Sequence, residues 1–255
     1  MNAAAVLALY DARIRADPPE EIGLASQWAG PVLRRLGVRA FIEHWTFDAA
    51  GAAAAAAAEA AHFRGSGQAV EWRVFSHDGP PNLEAALAEA GFVPEPAETF
   101  MVLDLAGRPD FGPLPTGVIV RRVDDHAGLD DVLAVRAAAF GDVHAALPQE
   151  LATRLADPAL ALYVAYVDGR PVASARLEAP LNRPFAGLYG GGVRPERRGL
   201  GLYRALVAAR AEEARRRGVR YLTVDAAETS RPILERIGFQ ALATVRGWEL
   251  KPENV

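Results

Sequence analysis

The sequence predicts an α+β (mixed α/β) protein built from two units, and three observations carry that reading. Apolar runs of period two alternate with runs of period 3.6 along the chain, so strands and helices are interspersed. An Asp-Gly pair at 168–169 separates two β-rich segments, a strong hairpin signal. A strand-helix-strand pattern closing in Gly-Phe occurs twice, at Gly91-Phe92 and at Gly238-Phe239, which suggests duplication.

The elements follow in order. Residues 52–64 are an Ala-rich helix, and QAVEWRVF is a strand. A turn carrying Gly79-Pro80-Pro81 leads to a short helix that stops at Gly91, and a strand then runs toward Leu105. From Trp72 to Gly91 is 19 positions, and from Tyr221 to Gly238 is 17, with the extra Gly-Pro-Pro absorbing the difference. The segment AGRPDFGPLPTG, 106–117, breaks both periodicities with three prolines and three glycines. It divides the chain into units of 1–108 and 116–255.

Beyond it, GVIVRRV is a strand. The next helix, capped by Asp124 or Asp125, sets Leu129, Val132, Leu133 and Ala137 on one face. Pro148 starts a short helix through Leu155, the hairpin follows, and GLYGGGV is a strand whose glycines suggest a bulge or a close backbone approach. A long helix from Leu200 to Arg217 buries Leu202, Leu206 and Ala209, and ends in three arginines and Gly218. YLTVD is a strand, SRPILERIGF a short helix with its stop, and QALATVRGWEL a final strand.

Composition narrows the function. The chain has 255 residues, 51% of them apolar and 24% charged, enough to bury a substantial core and to exclude disordered and fibrous classes. No apolar run reaches the roughly 18 residues of a membrane helix. The first twenty residues meet acidic side chains too early for a secretory signal, so a cytoplasmic protein without a membrane partner is expected. There is no cysteine, and the five histidines form neither an i, i+4 pair nor HExxH, so no metal is expected. Residues 1–115 carry eight basic against fifteen acidic groups, a charge of −7, whereas 116–255 carry +3. Within 194–220 nine arginines face three glutamates, which marks an anion-binding region.

That region contains GGGVRPERRGLGLYRAL, 190–206. A strand delivers the chain to Pro195, two arginines and two glycines follow, and a long helix begins. The first turn of a helix has unpaired N–H groups and a partial positive charge, and glycines let an anion approach the backbone. The pattern is neither the dinucleotide fingerprint, since Arg204 stands at the third glycine position, nor a Walker loop, which needs a lysine.

Glu196-Arg197-Arg198-Gly199-Leu200-Gly201 resembles the acyl-CoA motif of the GCN5-related N-acetyltransferases (GNAT), Arg/Gln-x-x-Gly-x-Gly/Ala, with glutamate at its first position. Val193-Arg194-Pro195, the long helix, YLTVD and SRPILERIGF follow in the family's order, so the resemblance spans roughly 117–250. It implies a mostly antiparallel mixed sheet in each unit, with strands splayed around acetyl-CoA, the co-substrate, in the C-terminal one. The diphosphate would be held by the amides of Arg198, Gly199, Leu200, Gly201, Leu202 and Tyr203. Pantetheine would add along Gly191, Gly192 and Val193 like an extra strand. The tyrosine that many members place just before Gly-Phe is here Leu234. Tyr189 and Tyr203 are the substitutes for that general acid, and their alternative is core packing. Glu178 is the candidate base, its alternative a surface charge paired with Arg176. Asp225 reads rather as the cap of the following helix. His144 and Glu150 lie where the family builds its acceptor wall, and an ordinary exposed loop is the preferred reading.

The N-terminal unit has no arginine-glycine loop before its helix, and Asp48 would repel a phosphate, so it is expected to be a degenerate relative without a CoA loop. The expected activity is acetyl-CoA-dependent acylation of a small-molecule or peptide amine by direct attack, in a monomer or homodimer. The alternative is a non-catalytic acyl-CoA sensor. The arginine run 215–217 reads as a helix end, and no nucleic-acid partner is expected.

Overall fold

The computed structural model describes residues 1–141 and 147–252, so His144 lies outside the described residues. The chain begins with α1 (Ala3–Tyr10), capped by Asn2, whose side chain accepts from the amide of Ala5, and runs on as a π-helical turn, Asp11–Arg15. Strands β1 (Ala25–Ala29), β2 (Val32–Leu36) and β3 (Ala40–Trp45) form a meander. Helix α2 (Ala52–Ser66), β4 (Val70–Phe75), α3 (Leu83–Glu89), the short β5 (Val93–Pro94) and β6 (Glu98–Asp104) complete the N-terminal half. After the linker come β7 (Val118–Val123), α4 (His126–Phe140), α5 (Leu147–Thr153), β8 (Leu160–Val167), β9 (Arg170–Glu178) and β10 (Phe185–Val193). The chain ends with α6 (Leu202–Arg216), β11 (Tyr221–Ala226), α7 (Arg231–Ile237) and β12 (Gln240–Leu250).

The strands form one sheet in the order β1-β2-β3-β4-β12-β6-β11-β10-β9-β8-β7, with β5 paired to β12. Among the described residues only β3–β4 and β10–β11 are parallel pairs, and the others are antiparallel. The last strand of each half crosses into the other: β6 pairs with β11, and β12 pairs with β4. The halves are thus joined by an exchange of strands.

The repeated Gly-Phe endings have the same geometry. Gly91 and Gly238 take positive φ, +92° and +107°. The amides of Phe92 and Phe239 each donate over 3.0 Å to a leucine carbonyl five residues back, Leu87 and Leu234, and both phenylalanines are buried. This is the left-handed stop of a helix followed by an anchoring side chain.

Among the described residues, four apolar clusters hold the layers together. The largest lies between the sheet and α6 and α7, with Leu202, Leu206, Leu222 and Phe239. A second lies under α2 and α3 around Phe63 and Trp72, a third joins α1 to the central strands through Tyr10, Phe100 and Phe185, and a fourth lies under α4 and α5. The hairpin turn is as expected: Asp168 and Gly169 both take positive φ, +50° and +74°. Helix α4 is capped by Asp125, whose carboxylate accepts from the Gly128 amide at 2.7 Å. Its buried stripe is Leu129, Val132 and Val135, while Ala137, expected on that face, is exposed.

Candidate active site

The parallel pairing of β10 with β11 lasts three residues, Phe185–Gly187 against Tyr221–Thr223. β10 then continues with β9 as far as Val193↔Ala173, and β11 with β6 as far as Ala226↔Thr99, so the two strands part. The bulge expected from the glycines lies between Tyr189 and Gly192, leaving Gly190 and Gly191 outside the ladder. Neighbours approach all three glycines closely. A Cβ on Gly190 would collide with the Arg136 guanidinium, one on Gly191 would lie 2.8 Å from the Tyr203 ring, and one on Gly192 2.7 Å from Phe140.

From the end of β10 a single 3₁₀ turn, Pro195–Arg197, leads to Gly199 at φ +78° and to Gly201 at φ +75°, the latter the N-cap of α6. No side chain caps this helix, and the amides of Gly199 through Arg204 donate to no backbone carbonyl among the described residues. Six free donors therefore ring the foot of the split, at the positive end of the helix dipole. The Arg198 side chain folds back to the carbonyl of Ala139 at 3.2 Å, and Arg204 reaches the Pro113 carbonyl of the linker at 3.1 Å. Of the residues expected to hold a diphosphate through their amides, Gly199, Leu200, Gly201, Leu202 and Tyr203 lie on this turn and the start of α6, and Gly191, Gly192 and Val193 lie on the diverging strand. The Arg198 amide, by contrast, is already committed to the Pro195 carbonyl at 3.3 Å, and Arg204 supplies the sixth free amide.

On the sheet face covered by α4 and α5, a cleft of about 410 Å³ lies between the two halves. Glu178 of β9, Tyr189 of β10 and Thr223 of β11 line it from one half, and Tyr10, Glu43 and Arg73 from the other. Tyr189 folds back over Gly187, where a Cβ would strike its ring, and the Arg176 guanidinium lies 5.1 Å from the ring centre. Burial, with Tyr10 and Glu178 nearby, holds the Tyr189 hydroxyl well above the ordinary tyrosine range, so it carries its proton at neutral pH. Glu178 is held by two guanidinium groups, Arg154 at 3.2 Å and Arg176 at 3.3 Å.

Two expectations are corrected here. Asp225 caps no helix: it lies within β11, where its carboxylate pairs with Arg73, which also grips Glu43. Burial raises its pKa above the usual carboxylate value despite the arginine. Glu150 is part of α5 rather than an exposed loop; it lines the cleft and pairs with Arg176 at 3.4 Å. Leu234 is fully buried, so α7 supplies apolar packing at the tyrosine position. Tyr203 is pushed up by burial and packs on Gly191. The Arg73 bridge was missed by sequence reasoning, because it joins residues 152 positions apart.

The equivalent place in the N-terminal half is closed. Asp48 Oδ1 accepts from the amides of Ala50 and Gly51, both at 3.1 Å, so a carboxylate sits where an anion would bind before α2. Trp45, at the end of β3, stacks on Phe47, packs against Trp72 and donates to the Gly79 carbonyl at 2.7 Å. Among the described residues no group of three or more His, Asp or Glu side chains could hold a metal ion, and no helix is long and apolar enough to cross a membrane.

Comparison with known proteins agrees with this geometry. No curated protein matches the chain by sequence. The chain is similar in fold to a GCN5-related N-acetyltransferase from Kribbella flavida, with TM-score 0.72 and 19% identity over 99% of this chain and 95% of that one. It is similar to a conserved protein of unknown function from Staphylococcus epidermidis, with TM-score 0.70 and 16% identity over 95% and 98% of the two chains. A tandem GNAT protein from the clavulanic acid biosynthesis pathway matches with TM-score 0.62 and 19% identity over 99% and 95%. The sequence model of the acetyltransferase (GNAT) family matches residues 129–239, the segment that holds the split strands and the free amides. That segment is similar to the acetyltransferase domains of the GNAT family, and the chain shares the fold of the tandem GNAT protein.

Proposed function

We propose that the protein is an acetyl-CoA-dependent N-acetyltransferase whose chemistry takes place in the C-terminal half. One observation carries the reading: six unpaired amides, Gly199 to Arg204, stand at the foot of a parallel strand pair that separates after three residues. The amides receive the diphosphate, and pantetheine runs along the free edge of β10 at Gly191–Val193. The thioester then lies at the bulge, and the acceptor approaches from the cleft.

The amine nitrogen, in its neutral form, attacks the thioester carbonyl carbon. Backbone amides at the bulge stabilise the oxyanion. The C–S bond breaks, the CoA thiolate takes a proton from Tyr189, and the new amide nitrogen gives up its proton to Glu178, which Arg154 and Arg176 hold in place. Residues 1–108 and 116–255 are read as two units of common plan. The N-terminal unit, with Asp48 and Trp45 in the places of anion and cofactor, serves as one wall of the acceptor cleft. The acceptor is a small-molecule or peptide amine, and the protein acts in the cytoplasm as a monomer or homodimer.

A thiol-release assay with acetyl-CoA and a panel of amines tests the reading, with release by at least one amine as the expected result. Acetyl-CoA binding with no release from amino acids, polyamines, aminoglycosides or peptides would favour the sensor that Leu234 suggests. Absence of binding would overturn the diphosphate site.

A further inference from the structure

Six arginines line the cleft, and five are committed to carboxylates. Arg35 pairs with Glu21 at 3.2 Å, Arg39 with Glu71 at 3.3 Å, and Arg73 with Glu43 and Asp225. Arg154 pairs with Glu21 at 2.6 Å and Glu178 at 3.2 Å, and Arg176 with Glu150 and Glu178 at 3.4 and 3.3 Å. Every acidic residue of the lining, Glu21, Glu43, Glu150 and Glu178, is therefore engaged by at least one guanidinium. A second ammonium on an acceptor would find no free counter-charge there.

Arg136 is the exception. It projects from α4, lines the cleft, and makes no ion pair with any carboxylate among the described residues. Its guanidinium carbon lies 5.3 Å from the Phe140 ring centre, its Nε is buried without a hydrogen-bond partner, and Nη1 lies against Gly190 of the bulge. Burial and the neighbouring Arg176 disfavour its charge, and Glu150, nearby but not in ion-pair contact, offsets this only in part, so a further anion beside it would favour the charged form. A planar guanidinium with free N–H groups matches a carboxylate bidentately.

We infer that the acceptor is an α-amino carboxylate, an amino acid with an apolar side chain, whose carboxylate pairs with Arg136. This rests on the acetyltransferase reading of the same site and names its substrate class. In an α-amino acid the amine is one carbon from the carboxylate, so a carboxylate held beside Gly190 leaves the nitrogen next to the bulge where the thioester is placed. Ile14, Leu24, Phe41 and Phe185 line the remainder of the cleft and receive the side chain. Polyamines and aminoglycosides, which bring several positive charges, are disfavoured by the same lining.

The test uses matched pairs that differ only in the carboxylate: L-phenylalanine with phenethylamine, and L-leucine with isopentylamine. Their dissociation constants are measured by titration against the full-length protein, with and without CoA, for the parent, Arg136→Gln and Arg136→Lys. The amino acid is expected to bind at least about tenfold tighter than its amine in the parent, as for a charge-assisted pair. Arg136→Gln brings the pair within about threefold, Arg136→Lys falls between, and the affinity for acetyl-CoA stays the same in all three. Equal binding of the pair by the parent, no binding of either amino acid, or a preference that survives in Arg136→Gln would overturn the inference. So would an equal loss for both members, which would place Arg136 on the cofactor. Failure of acetyl-CoA itself to bind would count against the cofactor site alone, because the pairs measured without CoA still decide the role of Arg136.

Discussion

Gly201→Glu acts on the centre of the proposed cofactor site, and its effect can be worked from the local geometry. Gly201 sits at φ +75°, where a side chain costs about 1–2 kcal/mol. The new Cβ would lie 3.2 Å from Pro115 Cγ and 3.6 Å from Arg204 Nη2, close enough that the linker must give by a few tenths of an ångström. The stability loss should therefore be about 1–2 kcal/mol, a few degrees in Tm for a chain of this size. The effect on binding is larger, because the glutamate carboxylate competes for the amides of residues 199–204 and repels the diphosphate. Each hydrogen bond to a charged group contributes about 1.5–3 kcal/mol. Losing two weakens acetyl-CoA by about 3–6 kcal/mol, or about 10²- to 10⁴-fold. Isothermal titration with acetyl-CoA reads this directly, and Gly201→Ala, which has the backbone strain without the carboxylate, should lose much less. A Gly201→Glu protein that remained folded and bound acetyl-CoA within about threefold of the parent would refute the reasoning.

Three further outcomes follow from other parts of the molecule. Burial, with Asp225 close by, lifts Glu98 from 4.5 to about 7, so its contribution to stability is full below 4.5 and is lost as pH rises through 7. At about 1.4 kcal/mol per pH unit, and reduced for its partial exposure, Glu98→Gln should stabilise the protein by about 1–2 kcal/mol at pH 8 and by little at pH 4. Equal urea midpoint shifts at the two pH values would contradict this. Asp48→Ala removes the acceptor of two amides before α2 and should lower unfolding stability by about 1 kcal/mol. Because Trp45 still packs on Phe47 and Trp72 and donates to the Gly79 carbonyl, the substitution should create no second acetyl-CoA site, and a second site appearing on titration would contradict the closed reading. Tyr189→Phe removes the proposed proton donor and should lower kcat about 100-fold while leaving acetyl-CoA affinity unchanged. An unchanged kcat would remove Tyr189 from the mechanism.

The features legible in the sequence are those written in local chemistry. Asp168-Gly169 specified its turn, Gly91 and Gly238 specified two helix stops, and the glycines at 190–192 marked a real bulge. The free amides at 199–204 follow from a glycine N-cap with no polar side chain to occupy them. What the sequence did not reveal depends on partners distant along the chain. Nothing in ETFMVLD or QALATVRGWEL says that each will pair with a strand of the other half, because the pairing is made by backbone groups common to all residues. Asp225 looked like a helix cap because its partner, Arg73, comes from the other half. Strand β1 has no buried residue and α1 precedes any turn signal, so neither was marked by periodicity. Ala137 was assigned to a buried face because alanine reads as apolar at any position, whereas Val135 occupies that face.

As proposed, the C-terminal half holds an anion site and the N-terminal half is closed at Asp48 and Trp45. Calorimetric titration of the intact chain with acetyl-CoA tests this most directly through its stoichiometry. The expected result is one acetyl-CoA per chain, displaced by CoA and lost in Gly201→Glu. Two per chain would contradict the closure by Asp48 and Trp45, and none would contradict the diphosphate site at residues 199–204.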